Sequence, residues 1–318
     1  MPGFIGCSCV APPIPTGCPS GGEYHRQAEA ATLNILSIQS WVAYGHVGNA
    51  SAAFPLQRLG AEVWAVNTVQ FSNHTGYGAW TGEVYSGASV RALVDGIEAR
   101  GALPRCDAVL SGYMGARDVG EAILDAAARV QAANPRALYC CDPVIGDDDT
   151  GVYVRPGIAE LMRDEALPLA DVATPNAFEL RALTGRPCGT LDEARLAVRA
   201  LQATMRPGGA RTVLLTSLRT EQTPEDSIDM LAGDADALHL LRTPLLPVRL
   251  NGAGDAIAAL FLLHLLRGGG AARALQAAGS SIHGILRRTA EAGSRELLTI
   301  AAQDELVRPA TLFTPTRV

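Results

Sequence analysis

From Leu33 onward, short apolar runs alternate with longer stretches of helix-forming composition. The pattern predicts strands at Leu33–Ile38, Glu62–Val66, Ala108–Leu110, Ala137–Cys141, Val172–Ala173 and Thr212–Thr216, each closed by a turn or polar cluster. Between them, Ser51–Leu59, Val90–Arg100, Val119–Ala132, Ala177–Leu183 and Leu191–Ala203 read as helices. Such alternation is expected of an α/β chain with a doubly wound, mostly parallel sheet covered on both faces, here as one domain over residues 31–318. In these sheets ligands collect beyond the C-terminal ends of the strands. Gln39 and Ser40 follow the first strand, Tyr113 the third, Asp142 the fourth, Asn176 the fifth, and Thr216 with Ser217 the sixth. Any one of them can be a simple cap or turn residue; their common location marks a site. Two further stretches, Gly146–Val154 with its consecutive aspartates and the polar Arg219–Asp236, are expected to be flexible covers, solvated loops being the plain alternative.

The run Asn251-Gly252-Ala253-Gly254-Asp255 leads directly into the apolar stretch Ala256 to Leu266. That places a turn of small residues and a carboxylate at a helix start, where outward-pointing N–H groups and the positive end of the helix dipole can hold phosphate or a developing oxyanion. A carboxylate there is a poor phosphate ligand. It is well suited to accept a proton from an alcohol attacking a phosphoryl group, as in a sugar-kinase-type turn. An ordinary Gly/Asp helix cap is the competing reading of the same residues.

Composition narrows the classes. The chain has 318 residues, 48% hydrophobic and 18% charged, as in globular proteins, with only 5% aromatic. A net charge of −6 and the lack of a basic stripe exclude a general nucleic-acid binder, so an anionic nucleotide needs a local site. Cys7, Cys9, Cys18, Cys106, Cys140, Cys141 and Cys188 show no zinc-ligand spacing and are expected to be reduced thiols, with Cys140-Cys141 at the end of a buried strand. Residues 1–30 are expected to be a disordered, dispensable extension, with no basic start followed by a sustained apolar segment. The longest apolar run, Ala256 to Leu266, is interrupted by His264 and falls short of the roughly 20 residues of a membrane span. No membrane association and a cytoplasmic location are the expectations.

A P-loop is missing, since no Gly-x-x-x-x-Gly-Lys-Ser/Thr segment occurs. Gly45-His46-Val47-Gly48-Asn49 near the first strand lacks the order of a dinucleotide fingerprint, which argues against hydride transfer. Several motifs, taken in order, carry a resemblance. Asn34-Ile-Leu-Ser-Ile-Gln-Ser-Trp-Val-Ala-Tyr-Gly-His-Val-Gly-Asn49, Asn67-Thr-Val-Gln-Phe-Ser-Asn-His-Thr-Gly-Tyr-Gly78, Ser111-Gly-Tyr-Met-Gly115, Cys141-Asp-Pro-Val-Ile-Gly146, Thr174-Pro-Asn-Ala-Phe-Glu179 and Ala301-Ala-Gln-Asp-Glu305 together resemble the pyridoxal kinases of the ribokinase superfamily.

The resemblance spans Leu33 to the C-terminus. It implies ATP-dependent phosphorylation of the 5′-hydroxymethyl group of pyridoxal, and of pyridoxine and pyridoxamine, by a ribokinase-like homodimer. Asp255 would be the base, an ionised carboxylate sufficing, and the amides of Gly252, Ala253 and Gly254 would stabilise the transferring phosphoryl group. Ser40, Thr75 and Tyr113, with His46 nearby, would meet the substrate ring, although His46 also reads as a structural histidine. Asp142 and Glu179 would act on Mg²⁺ through water, joined by Asp147 when its loop closes. Thr174, Asn176, Thr216 and Ser217 would lie on the nucleotide side, with Val213 to Leu215 and Leu245-Leu246 bordering adenine. There are departures. Trp41 stands where bacterial relatives often carry histidine, Gly76 where some carry a longer polar side chain, and Thr216 where some carry lysine; the last shifts reliance to metal ions, including a monovalent cation such as K⁺. The Asn251–Asp255 turn is closer to the general sugar-kinase form, so a hydroxymethylpyrimidine or sugar kinase, or a non-catalytic vitamin B6 binding protein, are the competing readings.

Overall fold

The computed structural model describes residues 32–318; the N-terminal extension expected over 1–30, with Cys7, Cys9 and Cys18, lies outside the described residues. Strands β1 (Asn34–Val42), β2 (Glu62–Phe71), β3 (Gly82–Val84), β4 (Ala108–Ser111), β5 (Leu138–Cys141), β6 (Gly146–Asp147), β7 (Gly151–Val152), β8 (Val172–Ala173), β9 (Thr212–Leu218), β10 (Ser227–Gly233), β11 (Leu238–Pro244) and β12 (Thr316–Arg317) alternate with helices. The helices are α1 (Asn49–Arg58), α2 (Gly87–Glu98), α3 (Arg117–Ala133), α4 (Ile158–Leu161), α5 (Ala177–Thr184), α6 (Leu191–Thr204), α7 (Ala253–Leu266), α8 (Gly270–Glu291) and α9 (Asp304–Val307).

Ten strands form one sheet in the order β12-β11-β10-β9-β8-β5-β4-β1-β2-β3, and β6 and β7 form a separate hairpin. The run from β9 through β8, β5, β4 and β1 to β2 is parallel, while β3, β10, β11 and β12 pair antiparallel at the two edges. Ile35, Leu36 and Ile38 on β1 are all fully buried, as required of a parallel strand covered on both faces. One core packs Val90, Val94, Val119, Ile123, Leu180 and Val198 from α2, α3, α5 and α6 against one face. The other packs Leu56, Leu260, Phe261, Leu275 and Ile285 from α1, α7 and α8 against the opposite face. Residues Thr32–Val318 make one compact unit.

α7 explains the long apolar run. It is enclosed by α1 and α8 as well as the sheet, and Ala256 through Leu263 are all buried. A helix buried all round has no polar stripe.

The expected cover over Arg219–Asp236 contains a buried strand of the main sheet. β10 occupies Ser227–Gly233 between β9 and β11, with Leu231 and Ala232 fully buried. Its buried Asp229 hid the strand pattern; that carboxylate accepts two hydrogen bonds from Arg242 of β11, at 2.7 and 2.8 Å, and one from Thr223 Oγ1 at 2.7 Å. Gly146–Val154 is a short hairpin rather than a featureless loop. Cys106, Cys140, Cys141 and Cys188 are free, buried thiols, and burial pushes each thiol's pKa upward.

Candidate active site

Of the polar residues that follow the parallel strands, Thr216 and Ser217 share a cavity with Ala253 and Gly254 of α7, and Asp142 lies close enough to Asp255 for their charges to interact. Gly252 caps that helix in the left-handed region, at φ 86°, and a Cβ on it would lie 1.7 Å from the carbonyl oxygen of His46. Only glycine permits both the conformation and that approach. Ser51 Oγ donates to the Gly252 carbonyl at 2.7 Å, so this turn is pinned to the first turn of α1. A Cβ on Gly254 would meet open space. Its N–H and that of Ala253, in the first helical turn, have no intrahelical acceptor, the condition under which a helix N-terminus can bind an anion.

Asp255 is buried at 9% exposure, and burial raises its carboxyl pKa, partly offset by the N–H groups of Gly48 and of Asp255 itself. The carboxylate is thus bound from the same loop that follows Ser40. Ser40 is buried where the β1–β2 register breaks between Gln39 and Trp41. Beside it Val42, Val69 and Phe71 form a small apolar cluster, packed against Val47, Ala50 and Tyr113. Thr68 Oγ1 fixes the Tyr113 carbonyl at 2.8 Å. Val47, Val69 and Phe71 were not singled out in the sequence because apolar side chains there look like ordinary core. His46 is half-buried, its Nδ1 has no hydrogen-bond partner, and burial lowers its pKa. Thr75 opens an exposed single turn, Thr75–Tyr77, capped by His74 Nδ1. A Cβ on Gly76 would come within 2.9 Å of that nitrogen, so the longer side chain found in some relatives requires the His74 cap to move.

On the other side of the turn lies a cavity of about 210 Å³ lined by Thr216, Ser217, Leu245, Leu246, Gly254 and His283, among others. It joins the nucleotide-side residues of β9 to the first turn of α7. Val213 to Leu215 do not border it; they are fully buried in the sheet, and the border falls instead on Ile228, Met230 and Ile257. His283, which the motifs did not mark, is buried with Nε2 unpartnered and stands edge-on to Phe313.

Asp142, Glu179 and Asp255 form an acidic floor. Burial first, then the charges of Glu179 and Asp255, raise the Asp142 pKa well above the usual carboxylate range, although Thr174 Oγ1 donates to it at 2.8 Å. Burial pushes Glu179 up to about 7, against the lowering effect of N–H groups from Asn176, Ile145 and Gly146. Thr174 and Asn176 therefore act on neighbouring protein groups. Asn176 caps α5 in a reciprocal box with Glu179 and donates from Nδ2 to the Gly146 carbonyl at 2.8 Å.

The expected trio of Asp142, Asp147 and Glu179 does not assemble into an ion cage. Among the described residues no group of three His, Cys, Asp or Glu side chains is arranged to hold a metal. Asp147 Oδ1 instead closes its own hairpin, accepting from Asp149 N, Thr150 N and Thr150 Oγ1 at 2.9, 2.7 and 2.8 Å. The remaining donor set suits a hard cation held largely through water: two buried carboxylates, mutually repelling, one of them already occupied by backbone N–H groups. Positive charge from lysine is unavailable anywhere, since the chain contains none.

The sequence profile of the phosphomethylpyrimidine kinase family matches residues 93–299. Pyridoxal kinase PdxY of Granulibacter bethesdensis is 64% identical over 281 residues, spanning 88% of this chain and 98% of that protein. The chain belongs to the pyridoxal kinase family. A further pyridoxal kinase, PdxY of Deinococcus radiodurans, is 54% identical over 287 residues, covering 90% of this chain and 96% of its own. Among solved structures, pyridoxal kinase from Leishmania donovani in complex with ADP and pyridoxamine matches with a TM-score of 0.83 at 30% identity, over 90% of this chain and 99% of that one. The ten-stranded sheet with helices on both faces is accordingly the ribokinase-like fold of the pyridoxal kinases.

Proposed function

We infer that this chain is an ATP-dependent kinase that transfers a phosphoryl group to the 5′-hydroxymethyl oxygen of pyridoxal, and of pyridoxine and pyridoxamine, forming the 5′-phosphate in vitamin B6 salvage. The single observation that carries the site assignment is Asp255, buried in the first turn of α7 with its carboxylate met by the Gly48 N–H, while its neighbours Ala253 and Gly254 line a cavity of about 210 Å³ together with Thr216 and Ser217. In this reading the ring binds beside the apolar cluster of Val42, Val69 and Phe71, with Ser40, Thr75 and His46 offering polar contacts. Asp255 orients the alcohol and takes its proton as the new O–P bond forms and the bond to the departing diphosphate oxygen breaks. The N–H groups of Ala253 and Gly254 stabilise charge on the transferring group. Thr216 and Ser217 line the nucleotide side. Asp142 and Glu179 would hold Mg²⁺ through water, which when bound neutralises phosphate charge that no lysine is present to meet.

A monovalent cation such as K⁺, a homodimer and a cytoplasmic location belong to the same reading and rest on the family resemblance. No helix among the described residues is long and apolar enough to cross a membrane. A hydroxymethylpyrimidine kinase is the second reading, favoured by the family profile over residues 93–299. The deciding experiment measures ADP and pyridoxal phosphate with MgATP and pyridoxal, with hydroxymethylpyrimidine as competing alcohol. Pyridoxal phosphate that depends on Asp255 supports the first reading; turnover of the pyrimidine alone selects the second, and tight binding without ADP leaves a carrier.

A further inference from the structure

We propose that Glu296, in the segment after α8, is a positioning residue for the alcohol substrate, because its carboxylate latches the Thr75–Tyr77 turn against the loop that carries His46. The inference rests on the substrate side of the site being the one described above.

Tyr77 Oη donates to Glu296 Oε1 at 2.5 Å, and the His46 N–H donates to Glu296 Oε2 at 3.3 Å. One carboxylate therefore bridges two loops that are far apart in sequence. The fit is close: a Cβ on Gly45, which sits at φ 95°, would lie 2.1 Å from Oε2. Any other residue at 45 would push the carboxylate away and meet backbone strain besides. Glu296 is itself held, since Ser294 Oγ accepts from its N–H at 3.1 Å and donates to its carbonyl at 2.7 Å. The guanidinium of Arg295 lies over the Tyr77 ring at 5.2 Å, and Tyr44 meets the same ring edge-on at 6.2 Å.

The turn has little else to fix it. Thr75, Gly76 and Tyr77 are all exposed, and no apolar side chain of the turn enters a core. Its other hydrogen bonds are local: His74 Nδ1 with Gly76 N, Tyr77 N with His74 O, Gly78 N with Thr75 O, and Asn73 Nδ2 with His74 O and Ala79 O. Among the described residues, the Tyr77–Glu296 bond is the one that carries residues 73–78 to a distant part of the chain. The turn lies against the catalytic-type turn, a Cβ on Gly76 falling 3.8 Å from Asn251 Nδ2. Releasing the latch thus frees Thr75 at the substrate entrance while leaving Asp255 and the cavity on the nucleotide side in place. An interaction made equally in ground and transition states alters KM and spares kcat.

Glu296→Gln keeps the side-chain volume but weakens the acceptor, and Tyr77→Phe keeps the ring under Arg295 while removing the hydroxyl. Both should raise the KM for pyridoxal roughly 3- to 10-fold, the worth of one hydrogen bond, with kcat and the KM for ATP within about twofold. The double variant should be no worse than the more affected single one, since both remove one interaction. Hydrogen–deuterium exchange of the ligand-free protein should be faster over residues 73–80 in both variants. An unchanged pyridoxal KM, even with faster exchange, reduces Glu296 to a structural tie and overturns the proposal, as does equal loss toward both substrates. If wild type itself does not phosphorylate pyridoxal, the substrate reading fails, and unaltered exchange at residues 73–80 independently refutes the latch.

Discussion

Asp255 shows how a single residue type changes meaning with its surroundings. At an exposed helix start it would be an ordinary capping aspartate; here it is buried, bound by the Gly48 N–H, and next to Ala253 and Gly254, which line a cavity with Thr216 and Ser217. Asp255→Asn preserves the shape and removes the proton acceptor, so turnover should fall ~10²- to 10⁴-fold while the pyridoxal dissociation constant stays nearly constant. Steady-state kinetics beside a binding titration check this, and a near-normal rate removes the base role. Because burial raises the Asp255 pKa, the reactive ionised form is lost on acidification at a pH above the ordinary aspartate value of about 3.9. The acid limb of kcat/KM should therefore lie above that value, which a pH–rate profile reads directly. Glu179 gives a second pH signature. With its carboxyl pushed up to about 7, the folded state holds this proton more tightly than the unfolded chain does. Its contribution to stability is complete below the unfolded value of about 4.3 and disappears as pH rises through the folded one. If Glu179 holds Mg²⁺ as proposed, the cation takes the ionised form and should raise Tm more at pH 8 than at pH 6; equal shifts in a thermal melt would contradict this.

Among the elements, α7 couples site and core. Its first turn carries the proposed anion site, and Ala256 through Leu263 are buried against α1, α8 and the sheet. Rigid placement of Asp255 therefore depends on side chains that touch no ligand. Leu260 is fully buried in the middle of this helix, and Leu260→Ala should cost about 2–5 kcal/mol by urea denaturation, from lost transfer energy and the cavity left behind. A cost below about 1 kcal/mol would mean that the helix can collapse around the gap. The first strand was legible from its buried run, and so was the start of α7 from its small residues followed by leucines and alanines. β10 was not, because Asp229 interrupts its apolar pattern and its partner Arg242 lies on a different strand. The long helix α8 was likewise unmarked, its small residues Gly270, Gly279 and Gly284 diluting the helical signal.

For the molecule as a whole, the absence of lysine meets an unusual substrate class. Pyridoxal and its phosphate are aldehydes that condense with primary amines, most often lysine, to form imines. With all 26 basic residues being arginine, the side chains of this chain offer no amine for that reaction. Incubation with pyridoxal phosphate followed by borohydride reduction should leave every peptide other than the one bearing the α-amino terminus at its unmodified mass. A reduced pyridoxyl adduct within the chain, found by mass spectrometry, would overturn the expectation. Arginine also leaves the phosphate end of the proposed site without a compact ammonium, and the proposed Mg²⁺ at Asp142 and Glu179 would supply the missing positive charge.

The sequence by itself determined the fold class, the ordered set of motifs, the kinase chemistry they resemble, and Asp255 at its glycine turn. These signals are local: apolar periodicity and a run of a few residues are complete within one segment of chain. Only the tertiary structure decided which polar groups face the site and which are already engaged. It turned Asn176 and Thr174 toward Glu179 and Asp142, used Asp147 to close a hairpin, moved Val213 to Leu215 into the core, and packed Val42, Val69 and Phe71 against Tyr113. It also brought Glu296 to Tyr77 and His46 from opposite ends of the chain. Such assignments depend on the partner each donor or acceptor finds across the fold, and hydrogen bonds and close packing between distant segments leave no period in the sequence.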